Sequence, residues 1–488
     1  MKPVTYYSTN NHHERVNFET AFLNGMAPDY GLYMIDRKDI PKLSSKNVED
    51  MRKMSYSEIA FLVLNPFLGS EIPRDKLEEI LNDAYKEDEI SIGIQHVTGR
   101  SHIMWLTQGP TYSFKDYAAR FFGRMLNHFL GERGLRRNVI VATSGDTGGA
   151  VADALYGLDR VDNVVFFPRG LVSEGQRRQM TTLGGNIYSF EVNGDFNVCQ
   201  ELAKNLLGDK KFAKEVFNDG DRLTSANSIS IGRLLPQAVY PFFAYSRVVE
   251  DGEKMIVSVP SGNFGDMMGS VIAKDMGLPI SKILVGLNPN KPFLDFLETG
   301  VYRVSRRIDA PSSAMMVTHP SNLARLIDFY GGHMFDKRDK TKKVIEEGVI
   351  DKMPDIKAMR KDFFALSVSS LQHYETIREV YYGFNWIVLD PHGAVGWKTL
   401  DVFLGGKHNK LAVVYETADP GKFPNDIKES IGVVPELPDG MKKQVTLKER
   451  IYSIESEPEH VIEIDSERLK LSDAQVQEAK EKIRSIFN

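Results

Sequence analysis

The chain has 488 residues, of which 42% are hydrophobic and 26% are charged. This length exceeds what a single hydrophobic core ordinarily organises, so we expect two or three domains. Its formal net charge of -5 offers no basic surface for nucleic acid or an anionic membrane, so we expect neither as a partner. A single cysteine, Cys199, excludes an internal disulfide framework and a cysteine-rich metal site, and it fits a reducing compartment.

Residues 1–97 form the first predicted segment, which we expect to be a helical unit because charged helical stretches such as 75–87 dominate it. Its first residues lack the apolar stretch of a signal peptide and the Arg/Ser bias of a transit peptide, which favours a cytoplasmic protein. No run of about 18 apolar residues occurs, so the sequence predicts no membrane span.

From about residue 98, short β-branched runs alternate with stretches of helical period. The runs are 139–142, 164–167, 255–259, 283–286 and 411–415. Short apolar strands separated by helices predict an α/β fold with parallel sheets covered on both faces. Ligands in such folds bind at the carboxyl ends of the strands, where glycine turns follow here. We expect two α/β domains, 98–245 and 246–430, followed by a charged tail, 431–488.

Two helices are predicted with particular clarity. The first covers 116–130, because five apolar residues share one face of a 3.6-residue period: Ala118, Phe122, Met125, Leu126 and Phe129. The second ends the chain, where Ser472 and Gln475 have the spacing of a capping box ahead of another apolar stripe.

The loop Gly-Pro-Thr-Tyr-Ser-Phe-Lys-Asp presents Lys115 just before the first of these helices. A lysine that forms a Schiff base must be positioned by a rigid turn and desolvated by its neighbours, and Tyr112 and Phe114 are suited to that. Taken alone, the loop more often indicates an ordinary surface lysine.

Gly262 and Gly265 follow the strand 255–259 and open a helix. Glycines let a backbone approach an anion, and exposed N–H groups at a helix N-terminus bind phosphate. The loop matches neither a Walker motif nor a dinucleotide fingerprint, and by itself it also fits a tight turn. A similar turn at 144–148 carries hydroxyls and amides that suit a carboxylate, whereas Asp146 makes it a poor phosphate cup.

Seven blocks in fixed order carry a resemblance to a known family. They are GPTYSFKDYAARF, ATSGDTGGA, NSISIGRLLPQ, VPSGNFGD, PSNLARL, DPHGAVG and ETADPGKFP. Together they resemble the bacterial and fungal threonine synthases, which are fold type II, tryptophan-synthase-β-like enzymes that use pyridoxal phosphate (PLP). The resemblance runs from Tyr7 and the stretch 25–33 to about Pro424. It implies two parallel-sheet α/β domains around a cofactor cleft, plus the N-terminal unit.

The resemblance also implies a role for each matching residue. Lys115 corresponds to the catalytic lysine that holds PLP, and Thr417 to the hydroxyl beside the pyridine nitrogen. The remaining cofactor-binding residues are Gly262, Asn263, Phe264 and Gly265 around the phosphate, with Asp146 near the ring. The substrate-binding residues are Ser144, Gly145, Thr147, Asn227, Ser228 and Arg233. Arg233 is the choice for the substrate phosphate, because a guanidinium fork fits that group.

The implied reaction converts O-phospho-L-homoserine and water to L-threonine and phosphate. Two alternatives stay open: a PLP-dependent lyase or dehydratase that releases 2-oxobutyrate or pyruvate, and a catalytically silent binding protein. No metal is expected, and the sequence is compatible with a monomer or a homodimer. Ser230, Met316 and Asp419 depart from the family pattern, which leaves the substrate contacts open. His392 is expected to be structural.

Overall fold

The computed structural model describes residues 3–69, 71–250, 252–340, 342, 344–463 and 466–487. Its strands are β1 (Tyr6–Ser8), β2 (Asn11–Val16), β3 (Tyr33–Met34), β4 (Gly93–Thr98), β5 (Ser101–Trp105), β6 (Arg137–Ala142), β7 (Val161–Pro168), β8 (Ile187–Val192), β9 (Leu223–Ser225), β10 (Met255–Pro260), β11 (Ile280–Leu287), β12 (His333–Arg338), β13 (Val344–Lys352), β14 (Phe363–Ser367), β15 (Ala412–Glu416), β16 (Ile451–Ile454), β17 (Glu459–Glu463) and β18 (Ser466–Lys470).

The helices are α1 (Phe18–Asn24), α2 (Ser45–Asp50), α3 (Tyr56–Leu68), α4 (Arg74–Ala84), α5 (Lys115–Glu132), α6 (Asp146–Leu155), α7 (Glu174–Thr181), α8 (Phe196–Gly208), α9 (Lys210–Phe217), α10 (Ile231–Leu234), α11 (Val239–Val248), α12 (Gly265–Asp275), α13 (Pro292–Thr299), α14 (Leu323–Phe329), α15 (Ile356–Asp362), α16 (Ser370–Gly383), α17 (Pro391–Leu404), α18 (Pro424–Ile431), α19 (Asp439–Val445) and α20 (Asp473–Phe487). Within the described ranges, none of these helices is long and apolar enough to cross a membrane.

The chain divides into two compact units, each built from two separate stretches. The first unit comprises Met1–Ala118 and Ser228–Glu436, and the second comprises Ala119–Asn227 and Leu437–Asn488. These units cut across the four predicted segments. Strand β5 pairs with β15, which assigns the start of the predicted 98–245 domain to the first unit. Strand β16 pairs with β8, which assigns the C-terminal tail to the second. Pairing between strands distant in sequence sets this division, and motif order does not reveal it.

The first unit contains a six-stranded sheet in the order β14-β11-β10-β15-β5-β4. All neighbouring strands are parallel except the edge pair β4 and β5. The three central apolar runs predicted from the sequence lie in β10, β11 and β15, and β10 and β15 are buried along their whole length. The α/β prediction is therefore confirmed for this unit, and the loops after β10 and β15 emerge at the same edge of the sheet.

The N-terminal part of the first unit is less purely helical than predicted. It contains α1–α4, but also a three-stranded antiparallel sheet in the order β2-β1-β3. This sheet has little signature in the sequence, because β1 and β3 are only three and two residues long and β2 is polar and mostly exposed. Strands of that length carry no usable period-two signal.

The second unit contains a fully parallel sheet in the order β16-β8-β7-β6-β9, and the predicted runs 139–142 and 164–167 lie in β6 and β7. The C-terminal residues complete its core. Helix α20 has the predicted capping box, since Gln475 N–H donates to Ser472 Oγ (3.3 Å) and Ser472 N–H to Gln475 Oε1 (3.2 Å). Three of its predicted apolar residues are buried in that core: Val476, Ala479 and Ile483.

Candidate active site

The loop that carries Lys115 is fixed against the residues that follow β15. Ser113 and Ala418 form an isolated antiparallel bridge. Beside it, Phe114 N–H donates to Thr417 O (2.9 Å) and Asp419 N–H donates to Tyr112 O (3.0 Å). The structure thus brings together two residues far apart in sequence, Lys115 and Thr417, that were predicted to contact the same cofactor.

A buried carboxylate closes the same loop into a rigid turn. Thr111 donates to Asp116 through its amide (2.9 Å to Oδ2) and its hydroxyl, and Asp116 N–H donates to Ser113 O (3.1 Å). Lys422 Nζ, also buried, donates to Thr111 O (2.7 Å). A Cβ at Gly109 would lie 2.6 Å from Asp116 Oδ2, so this position admits no side chain. The expected rigid turn is present.

The Lys115 amine lies beside the Phe114 ring and interacts electrostatically with Asp266. It begins α5, and its Nζ is 4.7 Å from the centroid of the Phe114 ring, as expected for a partly desolvated lysine. Tyr240 fixes Phe114 by donating its hydroxyl to Phe114 O (3.0 Å). Burial raises the pKa of Asp266 to about 6, and the positive charge of Lys115 acts in the opposite direction. Asp266 is therefore the carboxylate electrostatically coupled to this amine.

The predicted phosphate cup lies between β10 and α12. The chain turns sharply at Phe264, whose φ of 62° is left-handed, and the helix begins at Gly265. Among the described residues, no acceptor contacts the backbone N–H groups of Gly262, Asn263, Phe264 and Gly265. Four successive donors at a helix N-terminus suit a phosphate group, so these residues fit the phosphate of PLP.

The two glycines of the cup also have a packing role that the sequence did not indicate. A Cβ at Gly262 would lie 2.8 Å from Ala314 O, and a Cβ at Gly265 would lie 2.8 Å from Gln237 Nε2. Both distances are shorter than real Cβ contacts allow. The predicted reason for the glycines, an approach to an anion, is therefore incomplete.

A network of buried acids and a histidine supports the end of β15. Glu416 Oε1 accepts from Asp390 N–H (2.6 Å), and Asp390 accepts from His392 Nδ1. His392 Nε2 accepts from Ala314 N–H (3.2 Å), so both ring nitrogens are used and His392 is structural, as expected. Burial, then the charge of Asp390, raises the pKa of Glu416 far above its ordinary value. Burial therefore favours the protonated form of the Glu416 carboxyl group, which directly precedes Thr417 in the chain.

Two of the predicted substrate residues, Ser228 and Arg233, lie in the first unit. Arg233 lies on α10 and is only 3% exposed. Burial lowers the pKa of its guanidinium to about 10, whereas electrostatic interactions with Tyr240 and Asp116 act to raise that pKa. Ser228 O accepts from Asn322 Nδ2 (3.4 Å). Ser230, which departs from the family pattern, caps α10, because its Oγ accepts from Gly232 N–H (3.3 Å). That departure has a structural explanation.

The other predicted substrate residues lie in the second unit. Thr143 Oγ1 accepts from Gly145 N–H (2.9 Å) and Gly148 N–H (2.8 Å), which makes the turn before α6 rigid. Ser144 is exposed and Thr147 half-buried, whereas Asp146 is buried and accepts from Gln176 Nε2 (2.9 Å). Asn227 Oδ1 is buried and has no hydrogen-bond partner among the described residues, which suits a ligand-binding group.

Sequence reasoning assigned no role to several residues that organise the site. Asp266, Asn322 and Lys422 each lie inside one of the seven blocks, so the only available signal was their position near a motif. Asp419, a departure from the family pattern, caps the turn Pro420–Lys422 by accepting from Gly421 N–H (2.8 Å). Within the described ranges, no group of three or more His, Cys, Asp and Glu side chains could hold a metal ion.

Comparison with known proteins gives first the class and then the family. Residues 105–414 match the family described as pyridoxal-phosphate dependent enzyme, which spans both the Lys115 loop and the cup. The chain is thus a PLP-dependent α/β enzyme, and the predicted cofactor is confirmed. Residues 5–85 match the threonine synthase N terminus, and residues 393–464 match the threonine synthase C-terminal family.

Similar proteins agree with these matches. Threonine synthase of Pseudomonas aeruginosa is 34% identical over 89% of this chain and 92% of its own length. The Saccharomyces cerevisiae threonine synthase is 32% identical over 90% and 93%. The crystal structure of PLP-bound threonine synthase from Brucella melitensis superposes with a TM-score of 0.84, at 29% identity, over 99% of this chain and 100% of that one. This chain belongs to the threonine synthase family.

Proposed function

We propose that the chain converts O-phospho-L-homoserine and water to L-threonine and phosphate, with PLP attached to Lys115. Its membership of the threonine synthase family supports the reaction. The observation that carries the residue assignment is the bridge between Ser113 and Ala418, which fixes the Lys115 loop against Thr417. The same unit holds the four amides for which the described residues provide no acceptor. An amine, a ring-nitrogen partner and a phosphate cup are the three contacts that PLP requires.

Each contact has a candidate in the first unit. Lys115 would hold the cofactor through its amine, the amides of the 262–265 cup would bind the phosphate, and Thr417 would be the partner of the ring nitrogen. Bound PLP supplies an electron sink that stabilises negative charge on the substrate carbon next to the amino group. Because Thr417 is neutral, its hydroxyl would leave the ring nitrogen less fully protonated than an aspartate at this position would.

Lys115 is also the group placed to move protons. Its amine would take the proton from the substrate α-carbon and return it later in the cycle. Asp266 stabilises the ammonium form of Lys115, because the two groups interact electrostatically inside the protein. The loop bonds of Thr111 and Asp116 limit the motion of the lysine, which keeps the amine oriented during these transfers.

The substrate itself needs two further anion contacts. We assign its phosphate to Arg233, with Ser228 alongside, and its α-carboxylate to the 144–147 turn, where Ser144 and Thr147 offer hydroxyls and Gly145 a backbone amide. We place Asp146 near the cofactor ring. We assign Asn227 to the substrate, because its buried Oδ1 has no partner among the described residues. The same proposal assigns the enzyme to the cytoplasm, as monomer or homodimer, and its single buried cysteine suits a reducing compartment.

The competing function is a lyase or dehydratase that uses the same cofactor contacts. The distinguishing measurement is the product formed from O-phospho-L-homoserine by purified, PLP-loaded protein, with threonine, phosphate and 2-oxobutyrate quantified together. We expect threonine and phosphate in equal amounts. Release of 2-oxobutyrate with phosphate and no threonine would overturn the synthase proposal, and turnover of threonine or serine alone would identify a dehydratase.

A further inference from the structure

Arg325 on α14 is the largest side chain that is completely buried among the described residues. Its guanidinium donates only to neutral oxygens. Nε donates to Tyr33 O (2.9 Å), Nη1 to Asn322 Oδ1 (2.6 Å) and to Ser228 O (3.5 Å), and Nη2 to Ile229 O (2.6 Å). These bonds satisfy the hydrogen-bonding needs of the group, but they do not neutralise its charge.

The positive charge of Arg325 has no described counter-ion. Burial lowers the pKa of the guanidinium to about 9, and no carboxylate among the described residues opposes that shift. The side chain therefore remains charged at neutral pH. A buried charge without a partner of opposite sign is costly, so an anion bound close by would stabilise this one.

The hydrogen bonds of Arg325 lead directly to the phosphate cup. Asn322 Oδ1 accepts a hydrogen bond from Arg325 Nη1. Asn322 in turn donates to Asn263 O through its backbone N–H (3.2 Å) and its side-chain Nδ2 (3.0 Å). Ser321 donates to Asn263 Oδ1 through its amide (3.3 Å) and its hydroxyl (3.2 Å). In a trans peptide the carbonyl and the next N–H point in opposite directions. Because Asn263 O faces Asn322, the N–H of Phe264 faces away, where a phosphate can accept it.

Arg325 connects this cup to two other parts of the first unit. Its bond to Tyr33 O reaches the N-terminal region, and its bonds to Ser228 O and Ile229 O reach the segment proposed to bind substrate. The N-terminal region also packs on that segment, since a Cβ at Gly232 would lie 2.2 Å from Phe22. One side chain therefore fixes three separate backbone segments relative to one another.

We propose that Arg325 is a positioning residue for the cofactor phosphate: it orients the amides of the cup through Asn322 and Asn263 and supplies the buried positive charge that a dianion needs. This inference rests on the proposed assignment of the cup to residues 262–265. We expect Arg325 not to touch the cofactor, because it has no exposed surface and its N–H groups donate to protein oxygens.

The test compares the affinity of apoprotein for PLP and for pyridoxal, which lacks the phosphate, by equilibrium dialysis. In Arg325→Met, the side-chain length is retained and the charge is lost. We expect PLP affinity to fall about ten- to a hundredfold, as for loss of a charge-assisted interaction, while pyridoxal affinity changes less than about threefold. Arg325→Lys, which keeps the charge but cannot make the four bonds, should give an intermediate loss.

Arg360→Met is the matched control. Arg360 also donates to backbone carbonyls of the first unit, Leu297 O (2.7 Å) and Glu298 O (3.0 Å), but it is exposed and makes none of these cup contacts. Its PLP-to-pyridoxal ratio should equal that of wild type. Asn322→Ala removes the side-chain bonds from Asn322 Nδ2 to Asn263 O and from Arg325 Nη1 to Asn322 Oδ1, while Arg325 and the backbone bond from Asn322 N–H to Asn263 O stay. It should lower the ratio at least about threefold.

An unchanged PLP-to-pyridoxal ratio in the Arg325 variants would overturn the proposal. If both affinities fall equally, Arg325 has a general packing role, and if neither falls, it has no role in binding the cofactor. If Arg325→Met does not fold, as judged by circular dichroism, Arg325→Lys and Asn322→Ala carry the same test. A wild-type protein that binds PLP no better than pyridoxal would instead refute the cup assignment, whereas the product assay separately tests the reaction.

Discussion

Lys115 occupies the first position of α5, where a backbone bridge on one side and a buried carboxylate on the other restrict its movement. This arrangement differs from that of a surface lysine in two ways. The loop before it is closed by Asp116, and the amine is electrostatically coupled to Asp266. Both features favour an amine that is held in one place and used chemically.

Replacing Lys115 gives the most direct test at the residue scale. Lys115→Ala should retain PLP weakly through its phosphate but lose essentially all turnover, because neither attachment nor proton transfer remains. In wild type, borohydride reduction followed by peptide mass spectrometry should find the cofactor on Lys115. Labelling of another lysine would refute the assignment.

Arg233→Ala tests the proposed contact with the substrate phosphate. Loss of one charge-assisted interaction of about 1.5–3 kcal/mol should lower kcat/KM for O-phospho-L-homoserine roughly ten- to a hundredfold. PLP affinity should stay unchanged, and steady-state phosphate and threonine release are the measurements. Because Arg233 is buried, urea unfolding should be followed in parallel. An equal loss with unphosphorylated threonine or serine would point to a scaffolding role.

Asp266 should make the stability of the apoprotein depend on pH. Its folded pKa of about 6 lies above the value near 3.9 of an unfolded aspartate, so the folded state binds this proton more tightly. The resulting stabilisation is present at low pH and is lost as pH rises through about 6. Asp266→Asn, which stays neutral, should therefore gain stability over wild type between pH 4 and 7, on the order of 3 kcal/mol.

Urea denaturation of both apoproteins at pH 4.5 and pH 7.5 measures this difference. The two curves should be closer together at the lower pH, where wild-type Asp266 is protonated. A difference of the same size at both pH values would contradict the raised pKa of this carboxyl group. The PLP-loaded enzyme is not suited to the comparison. Attachment of the cofactor changes the charge of Lys115, which itself acts on the pKa of Asp266.

At the scale of elements, the site depends on loops that follow β10 and β15 in one parallel sheet. The parallel arrangement places the carboxyl ends of both strands at one edge. Gly265 lies at the start of α12, where its missing side chain leaves room for Gln237. A side chain added at position 265 would meet the flexible side chain of Gln237, whereas one added at position 262 would meet the backbone of Ala314. Position 265 is therefore the better place to introduce a side chain.

Gly265→Val should weaken PLP binding strongly while leaving the fold largely intact. The added methyl groups displace Gln237 and disturb the amides of the cup, whereas Gln237 can move without unfolding the sheet. PLP titration with circular dichroism alongside measures both effects. Gly383→Val is a suitable control in the same unit, because no atom lies within 4 Å of its Cβ position. Wild-type affinity in Gly265→Val would refute the cup.

At the scale of the whole molecule, each unit is assembled from two stretches of chain that are far apart in sequence. The C-terminal residues are an example: β16 adds an edge strand to the second sheet, and α20 covers its core. A tail that looks like a charged appendage in the sequence is therefore part of a folded unit. We expect truncation at residue 436 to expose the core of that unit.

Thiol chemistry provides a simple test of the whole fold. Cys199 is completely buried in the core of the second unit, and burial raises the pKa of its thiol. A thiol reagent such as DTNB should therefore find no reactive cysteine in the native protein and one in denaturant. Because the chain has only one cysteine, the unfolding midpoint should also be the same with and without reductant. Rapid native labelling would contradict this packing.

The sequence by itself determined the α/β class, the cofactor and the family, because these depend on local signals: short apolar runs, glycine turns and ordered motifs. It also located Lys115 at a helix start and the capping box of α20, which are governed by neighbours a few residues away. Only the tertiary structure decided the composition of the two units, the bridge between Ser113 and Ala418, and the role of Arg325. Those features depend on pairing and burial between residues hundreds of positions apart, for which one sequence carries no periodic or compositional signal.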